Sequence, residues 1–233
     1  MSLSALPMSP EQLHPSLWRA HQLGHGRAGT QASGYPMLDA ELPGGGWPQR
    51  AVTELLLSEA GCGEIRLLAP LLARVGAMGR GVLMLGPPAE PCAEALAHLG
   101  VDLSRCVVIR GADLLWPLEQ ALRSGQVGAI VAWVPATLKG EALRRLQLAS
   151  QSHEGAAFIV RDRAAAMHPS PAPLRLALAA GGPDALAVRL LKRRGPTRDE
   201  PVLLALPPVL SRIAWARASM PRRAGMPAPS TAG

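Results

Sequence analysis

The chain has 233 residues, with 24 basic against 17 acidic side chains and a formal net charge of +7. Apolar residues make up 48% of it, enough for a buried core, which excludes full disorder. No uncharged apolar run reaches the roughly 18–20 residues of a membrane span, and residues 1–10 lack the features of a secretory signal. Cys62, Cys92 and Cys106 are too few and too scattered for a disulfide framework. We therefore expect a cytoplasmic protein without a membrane partner.

The positive charge is concentrated in the last third of the chain. Residues 1–160 hold 12 basic and 13 acidic side chains, a sum of −1, whereas residues 161–233 hold 12 basic and 4 acidic ones, a sum of +8. Such asymmetry indicates a polyanion or an acidic partner for the C-terminal part. All cations but Lys139 and Lys192 are arginine, which suits phosphate contacts but also follows from a GC-rich genome.

The ends of the chain differ in composition from its middle. Residues 1–34 are rich in Pro, Gly, Ser and His and are predicted to form a flexible arm, in which Leu17 and Trp18 either anchor a partner or fold back onto the core. Residues 35–215 form the predicted domain. Residues 216–233 show little periodicity and are predicted to be a disordered tail.

The predicted elements of the domain alternate regularly as far as residue 160. In chain order they are a strand at 51–57, a helix at 65–78, a strand at 81–85, a helix at 89–99, a strand at 106–110, a helix at 113–123, a strand at 129–134, a helix at 139–152 and a strand at 158–160. Pro70 is expected to be tolerated only near the first turn of its helix. The strands are almost wholly apolar, which is typical of a parallel sheet covered by helices on both faces.

Beyond residue 161 the pattern changes. Strand-like runs at 174–180, 186–192 and 202–206 are joined by turn sequences with no helix between them. Such connections are hairpins. The predicted fold class is therefore α/β, with three layers, a mainly parallel sheet and C-terminal antiparallel strands.

A glycine-containing loop follows the first strand and precedes a helix, which is the setting of a phosphate-binding loop. Gly61 and Gly63 are in place, but Glu64 stands where the phosphate-binding Lys is needed, and Ile65 stands where a metal-binding hydroxyl is needed. A Glu repels a phosphate charge by about 4 kcal/mol at 4 Å and an effective dielectric near 20, where a Lys attracts it by as much. The loop is therefore interpreted as a degenerate phosphate-binding loop. A tight turn before the helix is favoured over a working nucleotide site.

Other candidates for chemistry are weak. Ala132 and Trp133 occupy the strand end at which phosphate-loop enzymes carry an acidic metal ligand. His14, His21 and His25 have no Cys or carboxylate neighbours, so no metal site is expected. Cys62 precedes a helix N-terminus, where a thiolate is stabilised, but no base accompanies it. We expect no catalytic residue, no cofactor and no enzymatic activity; an ATPase with a shifted Lys139 or Lys192 is the competing interpretation.

Several motifs carry a family resemblance. Leu38-Asp39, the PGGGWP run at 43–48 and Thr53-Glu54-Leu55 resemble the start of the core domain of RecA recombinases. A closer resemblance is to the translesion-synthesis-associated ImuA family, over about residues 14–206. It is carried by residues 42–47, 63–64, 114–116, 119–122, 144–149, 170–172, 174–176 and 192–196. The SulA cell-division inhibitors resemble the same core region more distantly.

The resemblance implies a RecA-like domain and a function. A member of the ImuA family is expected to act in SOS-induced mutagenic translesion synthesis as a non-catalytic adaptor. Its implied partners are an ImuB-type polymerase-like protein, RecA and single-stranded DNA. The alternative is a SulA-like division inhibitor that binds a tubulin-like division protein; because it has no evident need for a basic C-terminal third, the charge favours DNA repair.

Two groups of cations are candidate contacts. Arg161 and Arg163 follow a central strand at the position of a DNA-binding loop in RecA-like proteins, so they are predicted either to contact DNA phosphate or to lie on a solvated loop. The second group surrounds a strand end and consists of Arg189, Lys192, Arg193 and Arg194. It is predicted to contact DNA or an acidic protein, or to prevent strand-to-strand aggregation at the sheet edge. Alternation predicts Arg189 and Arg193 on one side of the strand, with Lys192 and Arg194 on the other. Arg144 and Arg145 read more simply as a solvated helix face.

Overall fold

The computed structural model describes residues 29–209, except residues 183, 197 and 198. The predictions for the histidines and the Leu17-Trp18 pair of the arm, and for the tail, lie outside the described residues. Within residues 29–34, Thr30–Gln31 (β1) pairs in antiparallel fashion with Trp47–Pro48 (β2), and Ser33 is fully buried. The described chain is thus part of the folded structure several residues before position 35.

The main sheet has eight strands. In chain order they are Val52–Leu57 (β3), Val82–Leu85 (β4), Cys106–Ile109 (β5), Ala129–Trp133 (β6), Ala156–Asp162 (β7), Leu174–Gly182 (β8), Ala185–Lys192 (β9) and Val202–Ala205 (β10). Their spatial order is β10-β9-β8-β3-β7-β6-β4-β5. All pairs from β8 to β5 are parallel, whereas β9 and β10 add antiparallel strands at one edge. The predicted fold class is confirmed.

Helices lie on both faces of the sheet. They are Pro36–Asp39 (α1), Glu64–Ala77 (α2), Ala93–His98 (α3), Leu115–Ser124 (α4) and Gly140–Ala149 (α5). The core on the α2 side includes Trp47 and Phe158, whose rings meet edge to face with centroids 5.1 Å apart. The core on the other side is built by α4 and α5. Because β3 lies between both cores, all six of its residues are buried.

Pro70 lies in the middle of α2, contrary to the expectation that it would be near the first turn. A proline has no N–H, so the carbonyl of Arg66, four residues earlier, loses its helical donor. The Tyr35 hydroxyl donates to that carbonyl at 2.9 Å and replaces the missing bond. The helix therefore continues through the proline because a side chain from another segment satisfies the freed acceptor.

A bulge in β9 overturns the predicted sidedness of its basic residues. Leu190 pairs with Leu176, but Lys192 rather than Leu191 pairs with Arg175, so one extra residue lies in β9. Directly paired residues point to the same face of a sheet, which places Arg189 and Lys192 on one side. Strict alternation was therefore wrong beyond Leu190.

Among the described residues, no helix is both long enough and apolar enough to cross a membrane.

Candidate functional site

The glycine loop lies between β3 and α2, at the carboxyl end of the central strands. Gly61 and Gly63 have φ values of +80° and +123°, a region that favours glycine. A Cβ on Gly63 would come within 2.8 Å of Leu206 Cδ1, so close packing as well as backbone conformation requires glycine there. The sequence thus keeps the turn of a phosphate loop and its position before a helix N-terminus.

Glu64 fills this loop with the protein's own carboxylate. Its Oε1 accepts a hydrogen bond from the Gly61 N–H at 3.1 Å, and its Oε2 accepts one from the Gly63 N–H at 3.2 Å. The residue is only 4% exposed and is the first residue of α2, where the helix dipole stabilises an anion. Backbone groups that bind phosphate in nucleotide-binding loops are therefore satisfied internally. These residues do not fit a nucleotide phosphate, because the anion position already holds a negative charge.

Two adjoining cavities lie at the carboxyl ends of the parallel strands. One, of about 340 Å³, is lined by residues that include Ala60, Gly86 and Trp133. The other, of about 540 Å³, shares Gly86 and Trp133 and extends to Lys139. Trp133 occupies the wall at the end of β6 where an acidic metal ligand would be needed. Ala132 is buried on the opposite face of the sheet.

The acidic residues at these cavities are already engaged with the backbone. Asp113 accepts a hydrogen bond from the Leu115 N–H at 3.3 Å, and Asp162 accepts one from the Ala164 N–H at 2.7 Å. Across residues 29–209, apart from the three undescribed positions, there is no group of three or more His, Cys, Asp or Glu side chains that could hold a metal ion.

The environment of Cys62 is opposite to the one that its position indicated. Burial raises the pKa of its thiol to about 11, and the nearby carboxylates of Glu64 and Glu59 add to the effect. The helix N-terminus was expected to favour the thiolate, but its field is offset by the Glu64 carboxylate in the same loop. Little thiolate is therefore expected at Cys62 at neutral pH.

Arg161 is not a surface residue. Its side chain is 2% exposed; its Nη1 donates to Glu54 Oε1 at 2.9 Å, and its Nη2 donates to the Ala136 carbonyl at 2.6 Å. The predicted contact between Arg161 and DNA phosphate is thus inconsistent with its position inside the sheet. Arg163, two residues later, is exposed in the 3₁₀ turn Arg163–Met167.

Glu54 and Arg175 complete this cluster, and the sequence analysis assigned neither of them to a site. Glu54 is fully buried on β3, and Arg175 on β8 donates from Nε to Glu54 Oε2 at 2.6 Å. The remaining Arg175 donors bond the carbonyls of Ala165 and His168 at 2.9 and 3.2 Å. One carboxylate therefore lies between two guanidinium groups on one face of the sheet. The sequence does contain a signal for this cluster: Glu54 and Arg175 are charged residues within otherwise apolar strand runs.

The basic residues around the end of β9 do not form one surface. Arg193 Nη1 contacts Glu41 Oε2 at 3.1 Å and also bonds the Glu41 carbonyl, which ties the end of β9 to the segment after α1. Lys192 donates to the Ser170 carbonyl at 2.8 Å and is exposed. Arg189 and Arg194 are exposed. Of the four residues, Arg193 therefore forms an intramolecular ion pair, and the other three are exposed cations.

These contacts explain why the charge argument failed. Arg161 and Arg175 are buried against Glu54, and Arg193 is paired with Glu41, so much of the positive charge on the described part of residues 161–209 is structural. An excess of arginine in the sequence counts these residues as if all faced solvent. The basic C-terminal third is therefore poor support for a polyanion partner.

Comparison with known proteins identifies similarity to one kind of protein. Residues 50–158 match the family model described as cell division inhibitor SulA. SulA of Edwardsiella piscicida is 29% identical over 100 residues, which are 42% of this chain and 59% of that protein. SulA of Photorhabdus laumondii is 30% identical over 101 residues, covering 42% and 56% of the two chains. SulA of Pectobacterium atrosepticum is 30% identical over 102 residues, covering 42% and 61%.

The similarity is local. The chain matches less than two thirds of the length of each of these three relatives. The family match begins just before β3 and ends at the third residue of β7, so it contains the glycine loop and the helices α2 to α5. Strands β8 to β10 lie beyond it.

These comparisons correct the predicted function. The family model and the three relatives bear the name cell division inhibitor SulA, not that of a translesion-synthesis protein. The prediction of an SOS mutagenesis adaptor in DNA repair is therefore wrong. So are its implied partners, the ImuB-type protein, RecA and single-stranded DNA. The SulA-like alternative is the one that agrees with the comparisons.

Proposed function

We propose that this protein is a cell-division inhibitor of the SulA type, which acts by binding the tubulin-like division protein FtsZ. The observation that carries the proposal is the similarity of residues 50–158 to SulA proteins. The matched residues contain the parallel strands β3 to β6, the first three residues of β7, which lies between β3 and β6 in the sheet, and the helices α2 to α5. The protein acts in the cytoplasm, in keeping with Cys62, Cys92 and Cys106, which are all free thiols.

Inhibition by binding rather than by catalysis is supported by the glycine loop. Glu64 bonds both glycine N–H groups, and Trp133 stands at the strand end where a metal ligand would be needed. In our proposal the three-layer fold is a rigid scaffold for a contact surface, and no nucleotide is consumed.

The free edge strand β5 is the contact surface that we propose within the matched residues. It is the outermost strand of the sheet on the side away from β10, and Val107 and Val108 are 55% and 38% exposed. Adjacent strand residues point to opposite faces, so exposure of both shows that neither face of this edge is fully covered. An exposed apolar edge is a site for strand or side-chain contact with another protein.

The test is an assembly assay with purified FtsZ and GTP. We expect the protein in stoichiometric excess to reduce sedimentable polymer, and expression without DNA damage to make cells filamentous. The double variant Val107→Lys/Val108→Lys should lose the inhibition, because lysine blocks edge contacts. Leu203→Lys, at the opposite edge of the sheet and outside the matched residues, is the matched control and should inhibit normally. Polymer that is insensitive to the unmodified protein would refute the proposal.

The finer resemblance, to the ImuA family, remains a prediction about evolutionary relationship and not about function. Its motifs at residues 170–176 and 192–196 lie beyond the residues that match SulA. They lie at the start of β8 and the end of β9 and in the segments next to these strand ends, and both strands belong to the same sheet as the matched strands.

A further inference from the structure

One part of the sheet has a face that the described helices do not cover. The core between the sheet and helices α4 and α5 includes residues of β3, β4, β6 and β7, but none of β8, β9 or β10. The opposite face of these three strands is closed, since Leu176, Val188 and Leu204 belong to the core on the α2 side. Among the described residues, the remaining face is covered at the start of β8, where the buried Arg175 bonds Ala165 of the turn Arg163–Met167, and is exposed beyond it; we call it the β8–β10 face.

The centre of the β8–β10 face carries small and apolar side chains. Its register pairs Ala179 with Ala187, and Ala187 with Leu203. Leu203 is 58% exposed, and both alanines are partly exposed. Small side chains at the centre allow the backbone of another element to approach closely, as helices do on the covered part of the same sheet.

The charge at the rim of this face has one sign. Arg189 pairs in register with Ala177, and Lys192 pairs with Arg175, so the bulge brings both cations to the β8–β10 face. Both are exposed, and neither forms an ion pair with an acidic side chain of the described residues. Among the described residues, the Lys192 ammonium donates a hydrogen bond to the Ser170 carbonyl. An apolar centre beside unpaired cations is complementary to an apolar surface flanked by carboxylates.

The charge also argues against occupants from the protein itself. Residues 1–28 and 210–233 together contain one acidic residue, Glu11, against six arginines. A second copy in a two-fold arrangement would use the same face of both chains and so bring Arg189 and Lys192 of each into one interface. Both arrangements bring like charges together, so the occupant is better sought in a different protein.

We propose that the β8–β10 face binds an acidic amphipathic helix of a partner protein. The apolar side of the helix packs on Ala179, Ala187 and Leu203, and carboxylates along its flank contact Arg189 and Lys192. The inference is independent of division inhibition, because this face lies outside the residues that match SulA.

A synthetic peptide tests this proposal with the full chain. The probe is an 18-residue helical peptide with leucine and alanine on one side and glutamates along both flanks. We expect it to bind, to bind less tightly as salt rises, and to lose about tenfold in affinity with Arg189→Glu/Lys192→Glu. The matched control, Arg144→Glu/Arg145→Glu, makes the same change in exposed charge on α5 and should bind the peptide normally. Leu203→Asp should abolish binding.

Four outcomes would overturn it. These are a peptide that does not bind, equal binding of a peptide with lysine for glutamate, equal losses in both charge-reversal variants, and a dimer of the unmodified protein that Leu203→Asp dissociates. An oligonucleotide that displaces the peptide and depends on the same two cations would assign the face to nucleic acid instead. Arg189→Glu/Lys192→Glu should still inhibit FtsZ assembly, so failure here is distinguishable from failure of the proposed function.

Discussion

Glu54 on β3 and Arg161 on β7 form a buried ion pair on one face of the sheet, with 2.9 Å between Glu54 Oε1 and Arg161 Nη1. Their side-chain exposures are 0% and 2%. Removing two charges from water is costly, and the pair is tolerated because further hydrogen bonds surround it. Arg175 contacts the other oxygen of the same carboxylate at 2.6 Å. One buried carboxylate therefore contacts two buried guanidinium groups across the strands β7, β3 and β8, and the cluster has a net charge of +1.

Replacing Glu54 by Gln should strongly destabilise the protein. The amide has nearly the same shape, but it leaves both guanidinium groups buried without a counter-charge, and breaking such a pair costs about 3–5 kcal/mol. Urea unfolding followed by circular dichroism measures the change. Arg50→Ala, which removes an exposed ion pair with Glu154, is the control and should cost less than about 1 kcal/mol.

An apolar replacement of the whole cluster sharpens this test. Glu54→Leu/Arg161→Met/Arg175→Met should recover most of the stability that Glu54→Gln loses, because no uncompensated charge remains. A Glu54→Gln protein as stable as the unmodified one would contradict the role given to the cluster.

The fold was predictable because its signals are local. Apolar runs such as 129–134 and turn sequences such as the one after residue 180 fix the type of each element whatever its neighbours. The order of the strands in the sheet could not be predicted from such local signals. Strand β3 pairs with β7 and β8, both more than 90 residues away in sequence. Those pairings depend on how the layers pack.

The candidate contacts were less predictable because the sequence does not show which arginines are buried. Arg161 and Arg163 are two residues apart and look equivalent, yet one reaches Glu54 from inside the sheet and the other is exposed. The degenerate loop was recognisable from Glu64 alone, but its consequence was not. That the carboxylate bonds the glycine N–H groups depends on a side-chain conformation.

Glu64→Ala should destabilise the protein by about 1–2 kcal/mol. The substitution removes the acceptor of the Gly61 and Gly63 N–H groups and a carboxylate at the helix N-terminus. Glu64→Gln keeps one acceptor oxygen and should lose less. Chemical unfolding gives both values, and Glu59→Ala, which removes an exposed carboxylate from the same loop, is the control. Equal stability of Glu64→Ala and Glu59→Ala would show that Glu64 does not hold the loop.

Cys62 should react slowly with iodoacetamide at about pH 8. Burial and the carboxylates of Glu64 and Glu59 raise the pKa of its thiol to about 11, so little thiolate is present, whereas Cys92 is exposed. Burial also raises the pKa of the Cys106 thiol, so mass spectrometry of a time course should show one fast modification. Cys92→Ser should remove the fast phase and Cys62→Ser should leave it. A fast phase that disappears in Cys62→Ser would contradict the assignment.

The stability of the protein should fall as the pH is lowered through about 6.5, in part because of His153. This side chain is fully buried before β7, and burial lowers the pKa of its imidazole below the ordinary value of 6.5. Between the lowered pKa and 6.5 the unfolded chain binds more protons than the folded one, so the free energy of unfolding rises with pH there. One such group contributes a slope of at most about 1.4 kcal/mol per pH unit. Unfolding curves between about pH 7.5 and 5.5 should show a smaller slope for His153→Gln than for the unmodified protein. Identical slopes for His153→Gln and the unmodified protein would show that another group titrates on unfolding.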